Sequence, residues 1–315
     1  MLKFIARRIL ILLFVFFVLT IILFWMHIRL TEFDAERLVR DYLYFTGSIV
    51  RGNFGISTGS KLPVIYELKM YLPSTLELIF FSFVLSFAVG TVTGIAAGLN
   101  HHSVFLKGVT AVLRLTTSFP VFWLGQMMIT IFAVELKLVP TSGNISLFCE
   151  VPLVTGSIFI DSLLTMDPEN IKSMLNHLVL PVIVLSFMPA TQFYLLARRA
   201  SFTISEMDFI RMAISRGQSQ FFLARKHIFL NIIPSILPKI KIILCNLFSA
   251  TLLVEVVFEW PGTGIWISTA VEHSDNAVLE TAIFVLAIIF LLTNTLIDIM
   301  GEVFFPEKRR INLNI

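Results

Sequence analysis

The sequence predicts an all-α integral membrane protein with six transmembrane helices and both termini in the cytoplasm. Three observations carry this reading. Apolar residues make up 57% of the 315 and charged residues only 14%, where a soluble domain carries roughly 25% charged residues. Six apolar runs, 9–28, 75–99, 115–134, 175–196, 242–258 and 278–297, approach or exceed the ~20 residues needed to cross a bilayer. With the N-terminus inside, sixteen of the 24 Lys and Arg residues fall in cytoplasmic segments, as the positive-inside rule requires.

The first run, 9–28, is apolar at eighteen of twenty positions, with Thr20 and His27 the exceptions, and follows the basic flank Lys3, Arg7 and Arg8. It is long for a signal-peptide core and no small-residue cleavage site follows, so it reads as an uncleaved first span. Residues 29–73 form an outer segment of mixed charge, expected to hold short interfacial helices. The second span, 75–99, opens on Pro73-Ser74-Thr75-Leu76-Glu77, with Ser74 and Glu77 at capping-box spacing. Gly90, Gly94 and Gly98 recur every fourth residue, a stripe on which another backbone can approach closely. His101 and His102 are adjacent and so share no helix face; a solvated basic link, 101–114, is expected before the third span. Internal Pro120, Pro181 and Pro189 do not veto spans three and four, because neighbouring helices can satisfy the freed carbonyls.

The outer loop 136–173 contains Pro140-Thr141-Ser142-Gly143 and the acidic Asp167-Pro168-Glu169, and reads as a small lobe with short helices. The fourth span stops at Arg198-Arg199. The loop 198–241 that follows is too polar to span and too apolar for a linker, and reads as a docking surface for a cytoplasmic partner. Ser205 and Asp208 again have capping-box spacing. They are expected to start a short amphipathic helix with Phe209, Ile210 and Ala213 facing the partner and Gly217 breaking it. A second short segment, 219–229, carries Arg225 and Lys226, and Pro234 and Pro238 mark entry to the fifth span. That span ends in Glu255-Val256-Val257-Phe258-Glu259-Trp260-Pro261-Gly262-Thr263-Gly264. Trp260 is expected at the membrane interface, Pro261-Gly262 in a turn, and 265–271 in a short re-entrant or interfacial helix. The resulting division is 1–73 (first span and outer segment), 74–307 (permeation core) and 308–315 (cytoplasmic tail, with Lys308, Arg309 and Arg310).

Catalytic signatures are missing. Gly47 and Gly52 have phosphate-loop separation, but Asn53 stands where Lys is required, and neither a nucleophile elbow nor a paired-histidine metal motif occurs. Cys149 and Cys245 lie in a loop and an apolar run respectively, with no metal-ligand spacing. The chain is therefore not read as an enzyme, and any ATP use must come from another chain. Polar groups at membrane depth are candidates for a substrate path: Gln126, Gln192, Asn246, Glu255 and Asn294, with His177, Glu280 and Asp298 near span ends. No regular series of intramembrane acids suggests a proton relay, which disfavours an ion-gradient transporter.

With these parts in order, the chain resembles the inner-membrane permeases of the peptide branch of ABC importers over nearly its whole length. Ala6-Arg7-Arg8-Ile9, Gly52-Asn53-Phe54-Gly55-Ile56-Ser57, Leu72-Pro73-Ser74-Thr75-Leu76-Glu77-Leu78 and Phe119-Pro120-Val121-Phe122-Trp123 are similar to stretches of that family, which usually has Asp at the place of Asn53. Ala213-Ile214-Ser215-Arg216-Gly217 resembles its ATPase-coupling motif, whose Ala and Gly match Ala213 and Gly217; Lys226-His227 and Pro234 continue it. Trp260-Pro261-Gly262-Thr263-Gly264 resembles its Trp-Pro-Gly signature. The Pro-Gly-Asp-Pro that usually follows the first helix is replaced by Ile28-Arg29-Leu30-Thr31. The second outer loop, with Glu150-Val151, Val154-Thr155-Gly156 and Ile160-Asp161, is similar to that of the Sap permeases, named for sensitivity to antimicrobial peptides. So is Asn231 followed by Pro234 and Pro238.

The resemblance implies a type I ABC importer permease fold in a bacterial inner membrane, with no cofactor bound by this chain. It implies a heterodimer with a SapC-like permease, SapD- and SapF-like cytoplasmic ATPases that use ATP, and a SapA-like periplasmic binding protein. The implied cargo is antimicrobial peptide, taken up in peptide resistance, or putrescine in export. Two other classes are weighed: an ion-gradient secondary transporter, which would transport without an ATPase, and a scaffold with no substrate path. Glu255, Glu259, Glu272, Asp275 and Glu280 surround an outer loop that lacks Lys and Arg, which suits a cationic cargo and equally suits ordinary charge bias.

Overall fold

The computed structural model describes residues 2–28, 38–100, 103–219 and 222–304, and every regular element among them is a helix. The adjacent histidines 101 and 102, the 29–31 departure and the tail 308–315 lie outside the described residues. Five helices are long and apolar enough to cross a membrane. They are α1 (Leu2–Ile28), α3 (Val64–Leu99), α7 (Pro168–Ser205), α9 (Phe229–Val257, continuing a π-helical turn Leu223–Ile228) and α11 (Asn276–Phe304). A sixth crossing is made only if α4 (Val104–Thr116) and α5 (Val121–Met128, running on as a π-helix Ile129–Glu135) count as one, and these two are bent by 110°. Shorter helices are α2 (Leu38–Val50), α6 (Ile158–Thr165), α8 (Asp208–Ser215) and α10 (Thr263–Glu272).

The centre of the bundle is the parallel pair α3–α7, and the glycine stripe makes it. A Cβ on Gly90 would stand 2.5 Å from the Ala190 carbonyl, one on Gly94 2.6 Å from the Tyr194 carbonyl, and one on Gly98 2.6 Å from Ser201 Cβ. Only hydrogen at these positions lets the backbones meet, and contact at this range replaces the hydrophobic drive that lipid cannot supply. α9 closes the core from the other side: Leu247 and Val254, with Phe258 just past its end, join one apolar cluster with Leu78, Val184 and Leu185. α1 packs on α11 at its two ends and through Phe16 and Phe284, 5.8 Å apart edge-to-face. Many of its other apolar residues, among them Leu10, Leu13 and Phe14, are exposed, as expected of a helix that faces lipid.

Several helices outrun their apolar cores. α3 begins at Val64, ahead of Pro73, so the expected capping box at Ser74 and Glu77 does not form. Pro73 sits inside the helix, Ser74 Oγ donates to the Gly156 carbonyl, and Glu77 caps a different helix. α7 runs 38 residues, ~57 Å at 1.5 Å per residue against a hydrocarbon core of ~30 Å; its polar ends project beyond the lipid. α9 likewise contains Pro234 and Pro238 within the helix instead of before it. The expected solvated link 101–114 is largely the helix α4, whose N-cap Ser103 accepts from Leu106 N–H.

Candidate functional site

One end of the bundle gathers Arg8, Arg198, Arg199, Arg211, Arg216, Arg225 and Lys226, at the start of α1, the end of α7, in and after α8, and before α9. The hinge between α7 and α8 forms here. Ser205 is the last residue of α7 and its hydroxyl donates to the Phe202 carbonyl, while α8 begins at Asp208 behind Met207 with no side-chain cap. The Ser205–Asp208 capping box is therefore absent; Ser205 ends one helix and Asp208 places a negative charge in the first turn of the next, where the helix dipole favours it. Ile210 and Ala213 are buried in the chain's own bundle, with Ile210 joining Ile204, Ile228 and Ile232. This corrects the expectation that they face a partner. The exposed face is formed by Asp208, Arg211, Met212 and Ser215, flanked by Phe209 and Ile214.

Gly217 ends α8. Its N–H donates to the Ile214 carbonyl and the next N–H, of Gln218, reaches back to the Ala213 carbonyl, the paired bonds of a Schellman motif. Gly217 has φ +78° with open space where a Cβ would stand, so backbone conformation and not crowding selects glycine. Arg225 and Lys226 are exposed on the π-helical turn, with Lys226 Nζ 5.1 Å above the Phe222 ring. Pro234 is half-buried inside α9.

At the opposite end the signature turn folds around Glu255. The Glu255 side chain is fully buried, and its Oε2 accepts the Gly264 N–H at 2.5 Å. It thereby caps α10, whose own N-cap residue, Gly262, has no side chain to do so. A Cβ on Gly264 would stand 2.9 Å from that carboxylate, and one on Gly262 would overlap it. Thr75 Oγ accepts the Thr263 N–H at 2.8 Å, fixing the same turn to α3. Trp260, expected at the membrane interface, is fully buried within the chain, with its indole N–H donating to the Ser74 carbonyl at 3.3 Å. Glu255 is thus a structural cap that lines no described cavity.

The other candidates separate. Gln192 and Asn246 line one cavity of about 220 Å³, closed by Thr116, Thr117, Phe119 and Pro120 at the α4–α5 bend. Gln126 is exposed on α5, and Asn294 Nδ2 donates to the Phe290 carbonyl of its own helix. His177 similarly bonds to the Ser173 carbonyl, Glu280 to His27 at 3.2 Å, and Asp298 to Arg8 at 2.5 Å and to Lys241. The glycines, Gln192 and Asn246, and the coupling stretch occupy three separate regions, so the candidate site is a path and a docking face and not one pocket. Of the acidic mouth, Glu255, Asp275 and Glu280 are already engaged within the chain, and Glu259 and Glu272 remain exposed.

This arrangement, a helical bundle with a short helix presented at its basic end, matches a family profile over residues 90–310: binding-protein-dependent transport system inner membrane component. The chain belongs to that family. A member of it is an inner-membrane transport subunit, and the apolar helices agree with that location. Similar proteins extend the match to the first ninety residues. The putrescine export system permease protein SapB of Escherichia coli K12 is 29% identical over 98% of both chains. The peptide transport system permease protein SapB of Salmonella typhimurium is 29% identical over the same shares. The di/tripeptide transport system permease protein DppB of Pseudomonas aeruginosa is 30% identical over 98% of this chain and 99% of its own.

Sequence reasoning missed the buried carboxylates that bind the loops opposite the basic end. Glu67 accepts from Trp266 Nε1 at 2.8 Å, Glu77 from Ser157 Oγ at 2.8 Å, and Asp161 from Thr155 N–H at 2.9 Å. The available signal was an acid beside each loop rich in Ser, Thr and Gly, whose free N–H groups need acceptors.

Proposed function

We propose that this chain is the membrane-spanning permease subunit of an ABC importer that moves peptides, driven by ATPases on separate chains. The observation that carries the reading is α8. One face is buried in the chain's own bundle and the other, with Asp208, Arg211, Met212 and Ser215, is exposed at the basic end. The bias of Lys and Arg assigns that end to the cytoplasm, where a motor domain would meet it, and Ala213 and Gly217 fall on the coupling motif that the sequence resembles. Ser205 and Asp208 would form the hinge, and Arg225, Lys226 and Pro234 the base of the same element. A phosphate-binding loop is missing from the sequence, so ATP would be bound by SapD- and SapF-like partners. A SapC-like subunit would complete the permease, and a SapA-like protein would deliver cargo.

Peptide is the assigned cargo because SapB of Salmonella and DppB of Pseudomonas carry it in their names. Putrescine export is the second reading, favoured by the name of the Escherichia coli relative. The test is reconstitution in proteoliposomes with the second permease, both ATPases and the binding protein. Labelled peptide should move only with ATP, and Met212→Asp should release the ATPases while the permease pair stays intact. Transport that persists without any ATPase would overturn the proposal.

A further inference from the structure

The helix break between α4 and α5, residues 117–120, is exposed on the surface of this chain and borders a cavity walled by α7 and α9. Asn246, beside it, stands five residues beyond Lys241 on α9, ~8 Å along the helix and so inside the apolar run 242–258, toward the basic end of the bundle. Irregular backbone at that depth survives only where protein buries it or where it lines a polar cavity. The elbow's own hydroxyls are spent on closing α4. Thr116 Oγ donates to the Leu113 carbonyl, and Thr117 and Ser118 Oγ both donate to the Arg114 carbonyl. Two polar side chains are left facing the cavity, Gln192 from α7 and Asn246 from α9. Neither carboxamide has a hydrogen-bond partner among the described residues, and the rest of the wall is largely apolar, including Phe119 and Met188.

We infer that the elbow cavity is the cargo's station inside the bilayer, where the Gln192 and Asn246 carboxamides bind backbone amides of an extended peptide. The inference rests on the transport reading above and names the chemistry that selects its cargo. A carboxamide offers a donor and an acceptor together, the complement of a peptide group, which would otherwise cross lipid unpaired at a high cost. No charged side chain lines the cavity, so a diamine dication would find no counter-charge there. At about 220 Å³ the cavity is smaller than the ~300–1,000 Å³ that encloses a whole drug-sized ligand. It holds one segment of a chain at a time, and the flexible thioether of Met188 can accommodate varied side chains.

The test uses the full reconstituted transporter with three labelled cargoes: a tripeptide, the same tripeptide N-methylated at its amides, and putrescine. Wild type should take up the plain tripeptide about tenfold or more faster than the N-methylated form and should not move putrescine. Gln192→Leu and Asn246→Leu should each lower tripeptide uptake by about tenfold, and the double variant should no longer distinguish the two peptides. Gln192→Asn keeps the carboxamide and should retain part of the uptake, which separates a binding defect from misassembly. Thr295→Val, outside the cavity, where the hydroxyl only donates to the Leu291 carbonyl of its own helix, should leave uptake unchanged. A complex that moves peptide at wild-type rates in both leucine variants overturns this inference alone. A wild-type complex that moves no peptide overturns the transport reading and this inference with it.

Discussion

Glu255 shows how a single side chain can organise a turn. It lies at the end of α9, folds into the loop that follows, and receives the Gly264 N–H at the start of α10. Uncapped helix N-termini leave donors unpaired, and a buried one would be costly, so the carboxylate supplies from a distance what Gly262 cannot. Gly262 stands where a side chain would enter the space Glu255 fills, whereas a Cβ on Gly264 would first run into the Leu252 carbonyl. This account predicts non-additivity. Gly262→Ala should destabilise the protein by about 1–3 kcal/mol through overpacking, and Glu255→Ala by about 1–3 kcal/mol through an unpaired N–H. The double variant should cost clearly less than the sum, because the collision disappears with the carboxylate. Thermal unfolding in detergent measures the cycle; additive losses would refute the collision between Gly262 and Glu255.

At the scale of elements, α8 is held on one face and free on the other, and its length is set by Gly217. Because open space surrounds that glycine while its φ is positive, the response to substitution should follow backbone preference and not size. Gly217→Asn should be tolerated, whereas Gly217→Val should cost about 1–2 kcal/mol locally and fray the end of α8. Transport per ATP hydrolysed is the readout, and it should fall in the Val variant and hold in the Asn variant. Equal behaviour of the two would remove the Schellman end from the mechanism. The existence of α8 was legible because a charged, Gly-terminated stretch stands out in an apolar chain, and the Gly90–Gly98 stripe was legible because its period matches a helix face. What α8 packs against was not: Ile210 and Phe209 look alike in sequence, and only the tertiary position of α7 and α9 chooses which is buried. Helix ends were misread for a related reason. Hydropathy reports the lipid-matched stretch, while helical hydrogen bonding continues through Pro73, Pro234 and the polar ends of α7. The break after α4 was missed although Thr116-Thr117-Ser118 precede Pro120, because a hydropathy window averages over them and an internal proline does not by itself end a membrane span.

The whole molecule is closed differently at its two ends. At the basic end, Asp298 of α11 pairs with Arg8 of α1 and Lys241 of α9, and α8 rests on α7 and the base of α9. At the other end, carboxylates clasp loop backbone, tying 55–63, 150–160 and 258–264 to the spans. A push delivered at the basic end would therefore act on a bundle whose far end is held together, which favours rocking of helices as rigid bodies. Asp275 offers a test of the clasp. It accepts from Ser57 Oγ at 2.7 Å and Gly59 N–H at 3.1 Å, joining the loop before α3 to the start of α11. Burial works to raise its carboxyl, but these bonds and those from Val278 and Thr58 N–H outweigh it and hold the pKa below its ordinary value. A depressed folded pKa means the clasp's contribution is fully present above the unfolded value of about 3.9 and is lost as pH falls through the folded one. Asp275→Asn should accordingly lower thermal stability in detergent at about pH 7, by the ~1.5–3 kcal/mol of bonds to a charged group. The gap between variant and wild type should narrow as pH drops below about 4, because wild type then loses the same charge. A gap that stays constant across that range would show that the clasp does not depend on the ionised carboxylate.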